Sequence, residues 1–561
     1  MNRIDTSEGI VTRGGTAMKA GENDLAKALT HAVPIDRDMA IDHDILIVGA
    51  GLSGLAMALE ARAGGHHVAI IERHATPGGT WALNTYPGAA CDVPSHLYQL
   101  GRRPSAEWSR PFAPQDEIES YIGRVANALR DDAGVSLRTG LGMARAEWNA
   151  DHRCWDVHLS DGTHETAKWL VLATGMLHVP RRPSIPGLDE FGGPVLHTAE
   201  WDGGFDPKGR RVAVIGTGAS AVQVVPPLAE TAERLTLFQR TPPWVVAKSD
   251  APFGLRRTWF RRVPGLARLY RYWLYEFHEM RHLVWRGHER SVEWAERMAR
   301  DTMEAAIGDP ALRAKLTPPY RIGCKRILQS NAYYPALARA NVEVETAPIE
   351  RITMGGIITE RREREIDAIV LATGFEVANA FGLDVRGRNG RTLREAWATR
   401  PLAHCGTTVR GFPNLATLLG PGTALGHNSV VLMAEAQARY LVRLWREQVR
   451  AERDKVERGE AGLGAIEPRA EAQDAWREEI DAALLKTVWG LAPGMGGCSS
   501  WYHDKAGRPS VVWPGTVRQF RRRLRRSGLG DYEAVASDEA ATSDEARAPV
   551  ASPVPVVHDR L

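Results

Sequence analysis

One strand–turn–helix–strand pattern occurs twice in this chain of 561 residues, and each copy dictates a large block of fold. The first copy is 44-DILIVGAGLSGLAMALEARAGGHHVAIIER-73. An apolar strand runs into Gly49-x-Gly51-x-x-Gly54, a helix follows to Ala63, and a second strand ends at Glu72. Glycine at these positions permits a tight turn, close approach of backbone to a pyrophosphate, and contact between helix and strand. The helix N-terminus then faces the phosphates, with Ser53 in its first turn. Glu72 stands about 20 residues past the loop, where a carboxylate accepts hydrogen bonds from both ribose hydroxyls of an adenine dinucleotide.

The second copy, 211-RVAVIGTGASAVQVVPPLAETAERLTLFQRTPPW-244, repeats the pattern as Gly216-Thr217-Gly218-x-Ser220-Ala221. Its second strand ends in Gln239-Arg240-Thr241 rather than in an acid. A carboxylate there would repel a 2′-phosphate, whereas Arg240 pairs with one. Two different nucleotides are therefore expected: an adenine dinucleotide with free ribose hydroxyls at the first loop and NADPH at the second. Two further stretches, 169-WLVLATG-175 and 366-IDAIVLATG-374, read as buried strands ending in Ala-Thr-Gly. They resemble the segments that carry the chain between the FAD and NAD(P) domains of flavoproteins with two dinucleotide sites. The expected class is α/β, with two Rossmann-like domains binding FAD and NADPH, and the expected activity is that of a reductase or a monooxygenase.

Composition narrows the choice. The 71 basic and 68 acidic residues nearly cancel, which argues against a nucleic-acid partner. Cys91, Cys154, Cys324, Cys405 and Cys498 form no CxxC or CxxxxC, so a dithiol reductase is excluded and five free thiols in a reducing compartment are expected. Neither a signal-peptide core nor an apolar run of about 18 residues occurs, which predicts a cytoplasmic protein without a transmembrane segment. Residues 1–40 read as a mobile extension, and 531–561, rich in Ala, Ser, Pro and acids, as a disordered tail.

After the first nucleotide unit comes 78-GGTWALNTYPGAACD-92. Gly78, Gly79, Trp81, Tyr86, Pro87, Gly88 and Asp92 match a pattern of the Baeyer–Villiger monooxygenases. A second pattern of that family is matched by Phe191, Gly193, His197, Trp201 and Asp202. The related N- and S-oxygenating flavin monooxygenases usually carry Tyr or Phe where Trp201 stands. The resemblance covers roughly residues 42–525. It implies insertion of one oxygen of O2 beside a ketone carbonyl through a C4a-peroxyflavin, giving an ester or lactone; S- or N-oxygenation is the alternative. By the same resemblance Arg326 stabilises the peroxyflavin and the nicotinamide, Asp92 keeps it charged and oriented, and Lys325 helps hold the 2′-phosphate. Gly79, Thr80, Trp81 and Tyr98 fall on the FAD side, and Trp501 on the NADPH side. Asn428 or Ser429 caps a long apolar helix that runs to about residue 445, and its N-terminus would favour negative charge on reduced flavin. His197 and its neighbours read as anchors of an interdomain connection, not as catalysts.

The expected boundaries are 41–190 and 355–530 for the FAD domain, 191–208 for the connection, and 209–354 for the NADPH domain with a helical insertion at about 252–312. A competing signature lies inside that insertion: His278-Glu279-x-x-His282, with His288 beyond it, has zinc-protease spacing. Trp285 replaces the glycine that would bend such a chain, and the surroundings form an unbroken aromatic amphipathic helix, so no metal is expected. The aromatic, basic stretch 256–300 and the basic 516-TVRQFRRRLRR-526 are compatible with an interfacial membrane contact, but are read first as helices covering the cleft and as a solvated terminal helix. The partners expected are a small ketone or sulfide and O2, with the chain a monomer or homodimer.

Overall fold

In the computed structural model, residues 41–535 are described, apart from 361, 377–382, 493–495, 499 and 505. The expected extension 1–40 and the greater part of the expected tail lie outside them. Two parallel sheets organise the rest. The first centres on His43–Val48, flanked by Val68–Glu72 on one side and His164–Leu172 on the other, with Val135–Thr139 beyond Val68–Glu72. Ile45, Leu46 and Ile47 and Val68 through Ile71 are all buried, as strands covered on both faces require. Met143–Asn149 and Cys154–Leu159 extend this sheet as an antiparallel pair, and Asp384–Arg386 and Leu415–Thr417 join it from the C-terminal half.

The second sheet has the order Val342–Glu345, Arg234–Phe238, Arg211–Ile215, Ala368–Leu371, Val195–His197, all parallel. Its makeup corrects two expected boundaries. The strand Ala368–Leu371 pairs with Arg211–Ile215, so the second nucleotide domain reaches beyond residue 355. Val195–His197, expected in the connection, is the edge strand of that same sheet. The chain passes between the sheets twice, and the two crossings run side by side: Arg181 N–H donates to the Gly374 carbonyl (2.9 Å) and Glu376 N–H to the Val179 carbonyl (2.9 Å).

Seven helices matter below: α1 (Leu52–Ala63), α2 (Ala219–Thr231), α3 (Leu255–Arg262), α4 (Leu266–Trp285), α5 (Glu289–Ala306), α6 (Val430–Glu457) and α7 (Val517–Arg526). Helices α3 to α5 leave the second domain between the short paired strands Val245–Val246 and Leu328–Gln329. Helix α6 packs across α1 and carries the first domain's core outward through Leu441, Leu444 and Trp445. The expected tail begins later than residue 531: Tyr532–Ala534 is a strand paired with Ile466–Pro468, and buried Tyr532 shares a hydrogen bond with the Tyr440 hydroxyl (2.8 Å). A tyrosine ring supplies enough apolar area to hold this short strand against the core. Among the described residues no helix is long and apolar enough to cross a membrane.

Trp155 links the two halves of the first sheet. It is fully buried, and its indole N–H donates to the Pro413 carbonyl (2.9 Å), just before the strand Leu415–Thr417. Trp155→Ala removes that volume and strands a carbonyl, so unfolding in denaturant should show a loss of about 3–5 kcal/mol. A loss under about 1 kcal/mol would contradict this packing.

Candidate active site

The sheets and helices converge on one cavity of about 1600 Å³ that spans both domains. Three helix N-termini open onto it. Gly51 precedes α1, Gly218 precedes α2 and Ser429 precedes α6, and none of these helices has a side-chain cap. Uncapped helix starts leave N–H donors and a partial positive charge directed at whatever fills the space. The Ser429 hydroxyl is buried there without a hydrogen-bond partner.

At the first loop, Gly49 has φ +107° and an added Cβ would sit 2.7 Å from the Ala173 carbonyl oxygen. Gly51 and Gly79 face each other so closely that a Cβ on Gly79 would come 3.2 Å from the Gly51 Cα. Glu72 is buried and accepts the Ala50 N–H (2.8 Å) and the His74 N–H (3.0 Å), which fixes its carboxylate at the loop. Ser53, Thr80, Trp81, Tyr98 and Asn428 also line the cavity, and the Trp81 indole donates to the Tyr98 hydroxyl (3.2 Å). Gly54 does not line it. Its Cβ would strike the Gly49 carbonyl at 1.9 Å, so it serves helix–strand packing.

The second loop repeats the geometry. Gly216 has φ +116°, and its Cβ would lie 2.4 Å from the Ala372 carbonyl oxygen. Thr217, Gly218, Ser220, Arg240 and Thr241 line the cavity, and the Thr217 hydroxyl donates to the Thr241 carbonyl (2.7 Å). Ala221 is fully buried in packing and, like Gly54, does not line the cavity. Lys325 lies beside Arg240: burial, followed by the charge of Arg240, pulls the Lys325 ammonium below the ordinary lysine value. Two cations held together fit a dianionic phosphate.

Arg326 and Asp92 meet where the two halves of the cavity join. The guanidinium donates twice to the carboxylate, from Nε (2.8 Å) and from Nη2 (2.5 Å). Burial disfavours the Asp92 carboxylate, but the charge and hydrogen bonds of Arg326 outweigh it and hold the carboxyl below its usual value. The Asp92 charge in turn raises Arg326 above the ordinary arginine value. Buried Tyr502 lies beside the guanidinium, and Trp501 lines the cavity against it with ring centroids 4.3 Å apart.

The Tyr-Pro-Gly turn that precedes Asp92 docks onto the other domain. The Tyr86 hydroxyl donates to Gln223 Oε1 (2.7 Å), and Gln223 Nε2 donates to the Ala90 carbonyl (2.7 Å). Gly88 has φ +82°, and a Cβ there would lie 2.5 Å from the Gln223 carbonyl oxygen. Gln223 went unnoticed in the sequence because its partners are 133 and 137 residues away. Its only local signal is its position in the first turns of α2.

The second fingerprint lines no part of the cavity. Phe191 packs against the second sheet with Ile185, Leu188 and Val195. A Cβ on Gly193 would meet the Asp367 carbonyl oxygen at 2.4 Å. His197 is 1% exposed, accepts the Ala199 N–H at Nδ1 (3.1 Å), packs edge-on to Phe375 of the return crossing, and is kept neutral by burial. Trp201 packs edge-on to Phe205, and Asp202 accepts the Gly204 N–H (2.8 Å) in a local turn.

The His-Glu-x-x-His segment lies on α4, where both histidines and the glutamate are held by protein partners. His278 Nδ1 bonds the Leu274 carbonyl and His282 Nε2 the Pro514 carbonyl, each at 2.9 Å. Glu279 accepts from Asn428 Nδ2 (2.9 Å) and from the N–H groups of Val517 (3.1 Å) and Arg518 (3.0 Å). The glutamate therefore secures the loop that leads into α6.

The expectation of five free thiols fails. Cys324 and Cys498 form a disulfide, so only Cys91, Cys154 and Cys405 are free thiols, all buried. The bridge joins the segment before Lys325 and Arg326 to the segment before Trp501. A sequence separation of 174 residues hid it, because no local spacing signals such a pair.

Three comparisons bear on this geometry. Residues 43–254 match the family model of pyridine nucleotide-disulphide oxidoreductases. A Baeyer–Villiger monooxygenase of Streptomyces coelicolor is 42% identical over 87% of this chain and 92% of its own length. One of Pseudomonas aeruginosa is 41% identical over 90% and 93%. Among solved structures, the OTEMO complex with FAD and NADP superposes with a TM-score of 0.76 at 26% identity, covering 88% of this chain and all of that one. An oxidised steroid monooxygenase bound to NADP gives 0.73 at 30% identity, covering 87% and 99%.

The Asp92–Arg326 pair makes a pH-dependent prediction. Its carboxyl titrates lower folded than unfolded, so the pair stabilises fully above the ordinary carboxylate range, near 3.9, and the contribution is lost as pH falls through the lower folded value. Because Arg326 is part exposed, Asp92→Asn should cost about 1–3 kcal/mol at neutral pH, less than a fully buried pair. The gap between wild type and variant in denaturant unfolding should narrow only below about pH 4. A gap that stays constant on acidification would contradict it. From its fold, its cavity and these relatives, the chain belongs to the Baeyer–Villiger monooxygenase family.

Proposed function

We propose that this chain holds FAD at the Gly49 loop and NADPH at the Gly216 loop, and inserts one atom of O2 beside a ketone carbonyl to give an ester or lactone. The observation that carries this reading is the convergence of three uncapped helix N-termini and the Asp92–Arg326 pair on one cavity large enough for both nucleotides. Overall, ketone, O2, NADPH and a proton become ester, NADP⁺ and water. FAD, when bound and reduced, would supply the activation of O2.

The residues divide the remaining work. The α1 and α2 N-termini take the two pyrophosphates, with Gly49, Gly51, Gly79, Gly216 and Gly218 letting backbone approach them. Glu72 takes ribose hydroxyls, and Arg240 with Lys325 takes the 2′-phosphate. Arg326 presents fixed positive charge to the oxygen that becomes negative as a ketone carbonyl is attacked, and Asp92 holds its guanidinium in one plane. The α6 N-terminus, secured through Asn428 and Glu279, favours negative charge on the isoalloxazine ring. Trp81, Tyr98 and Trp501 exclude water from the reacting centre. The paired crossings at Arg181–Gly374 and Val179–Glu376, with His197 and Phe375 at their base, act as the hinge about which the second domain moves. The reaction draws on NADPH and O2, and we place it in the cytoplasm.

Arg326→Ala should retain stoichiometric FAD and oxidise NADPH with release of hydrogen peroxide. Ester formation should fall at least about 100-fold, the scale of losing one preorganised charge contact. Ester formation near the wild-type rate would remove Arg326 from the assignment. Arg240→Ala should raise KM for NADPH at least about tenfold and leave KM for NADH nearly unchanged, since a lost charge-assisted contact costs about 1.5–3 kcal/mol. Equal effects on both nucleotides would reject the 2′-phosphate role.

A further inference from the structure

The helical insertion turns an aromatic face away from the protein. On α4, Leu269, Tyr272, Trp273, Phe277, Met280 and Leu283 are 42–64% exposed. Their spacing of three and four residues places them on one side of the helix, opposite buried Leu274, His278 and Trp285. From Leu269 to Leu283 this stripe runs about 21 Å at 1.5 Å per residue. It continues onto α3: Phe260 stacks on Tyr270, Tyr270 on Trp273, and Trp273 on Phe277, while Leu255 and Trp259 stand 79% and 58% exposed. A contiguous apolar surface of this kind marks a contact site.

The charge bordering the stripe is mainly basic, although Arg257 and Arg261 on α3 pair with exposed Glu107, Arg271 turns inward to Glu435, and Arg281 turns inward toward Asp92 and Arg326. Residues 255–288 contain eight arginines and two glutamates. Of the glutamates, Glu279 is buried, and Glu276, within the stripe, is ion-paired to Arg518 of α7. Arg256, Arg262 and Arg268 are exposed at one end. Helix α7 lies along one flank, fixed by the Arg518–Glu276 pair and by Arg521 over the Tyr275 ring, and carries exposed Arg522, Arg525 and Arg526. An amphipathic surface with Trp, Phe and Leu on the apolar part and Arg on its borders is the pattern that lies in the headgroup region of a bilayer. A second copy of this chain would meet the surface with the same arginines and no free acid from this region, so self-association lacks charge complementarity.

We propose that the outward face of α3 and α4, flanked by α7, is a peripheral docking site for an anionic lipid bilayer. The aromatic and aliphatic side chains enter the interface, and the arginines pair with lipid phosphates. The opposite face of α4 holds the loop into α6 through Glu279 and Asn428, so the docked helix has lipid on one side and, on the other, the loop whose Asn428 lines the cavity. An apolar substrate dissolved in the membrane would then be at hand. Docking itself does not depend on which oxygenation the cavity performs, and its test reads lipid binding separately from product.

The full-length FAD-loaded enzyme would be sedimented with vesicles of phosphatidylcholine alone and of phosphatidylcholine mixed with phosphatidylglycerol, at low and at high salt. Wild type should pellet with the mixed vesicles, and salt should release it. The combined variant Trp259→Ser, Trp273→Ser, Met280→Ser should bind at least about tenfold more weakly, as should Arg256→Glu with Arg262→Glu. Both variants should oxidise NADPH in solution at the wild-type rate, which separates lost docking from lost folding. Failure to pellet with anionic vesicles, or undiminished binding by both variants, would overturn the proposal. So would a wild-type dimer in lipid-free solution that the serine variant dissociates, because that assigns the face to a second copy.

Discussion

The ion pair between Asp92 and Arg326 is the contact on which the arrangement depends. Asp92 follows a loop of the first nucleotide domain, and Arg326 comes from the segment that returns from the helical insertion of the second. The pair couples them where their nucleotide loops face one cavity. Neighbouring contacts reinforce the junction: Tyr86 and Ala90 bind Gln223 on α2, and Gln329 Nε2 donates to the Asp92 carbonyl (3.1 Å). A cation placed this way cannot collapse onto a neighbouring acid in varied ways, because two hydrogen bonds fix its plane. In the reaction proposed above, such a cation would be preorganised before any reacting charge develops.

The nucleotide loops were legible in the sequence because their physics is local. Gly49, Gly51, Gly216 and Gly218 lie within a few residues of the strands and helices they join, and the demand for glycine is written in the backbone itself. Glu72 and Arg240 are also set by local geometry, at the ends of the strands that follow. Contacts across the chain were not legible. The Cys324–Cys498 bridge, the Tyr86–Gln223 bond and the Glu279–Asn428 bond join residues 174, 137 and 149 positions apart. The strand Ala368–Leu371 is legible as a strand but was assigned to the wrong domain, because a continuous apolar run reports burial and not which sheet provides it. The resemblance supplied Asp92 and Arg326 as a pair; residue type and spacing alone did not.

The helical insertion shows how one pattern supports two readings. Aromatic residues at helical spacing on α4 point to a helix covering the cleft, while His278, Glu279 and His282 have zinc-protease spacing in surroundings that argue against a metal. The structure splits these residues between two faces. The histidines and glutamate are turned inward and engaged with backbone carbonyls, backbone N–H groups and Asn428, while Tyr272, Trp273 and Phe277 are turned outward. Amphipathicity defined the two faces, but only packing against α7 and the loop into α6 decided which of them is covered.

The central claim is that the cavity directs an oxygen atom from O2 onto a ketone carbonyl. Its most direct test is turnover of a panel of cyclic, aryl and aliphatic ketones with NADPH under ¹⁸O2, with mass spectrometry of the products. The account predicts esters or lactones that carry a single ¹⁸O per molecule, one for each NADPH consumed in coupled turnover. Products labelled only from water, or sulfoxides and N-oxides from added sulfides and amines with no ester from any ketone, would contradict it.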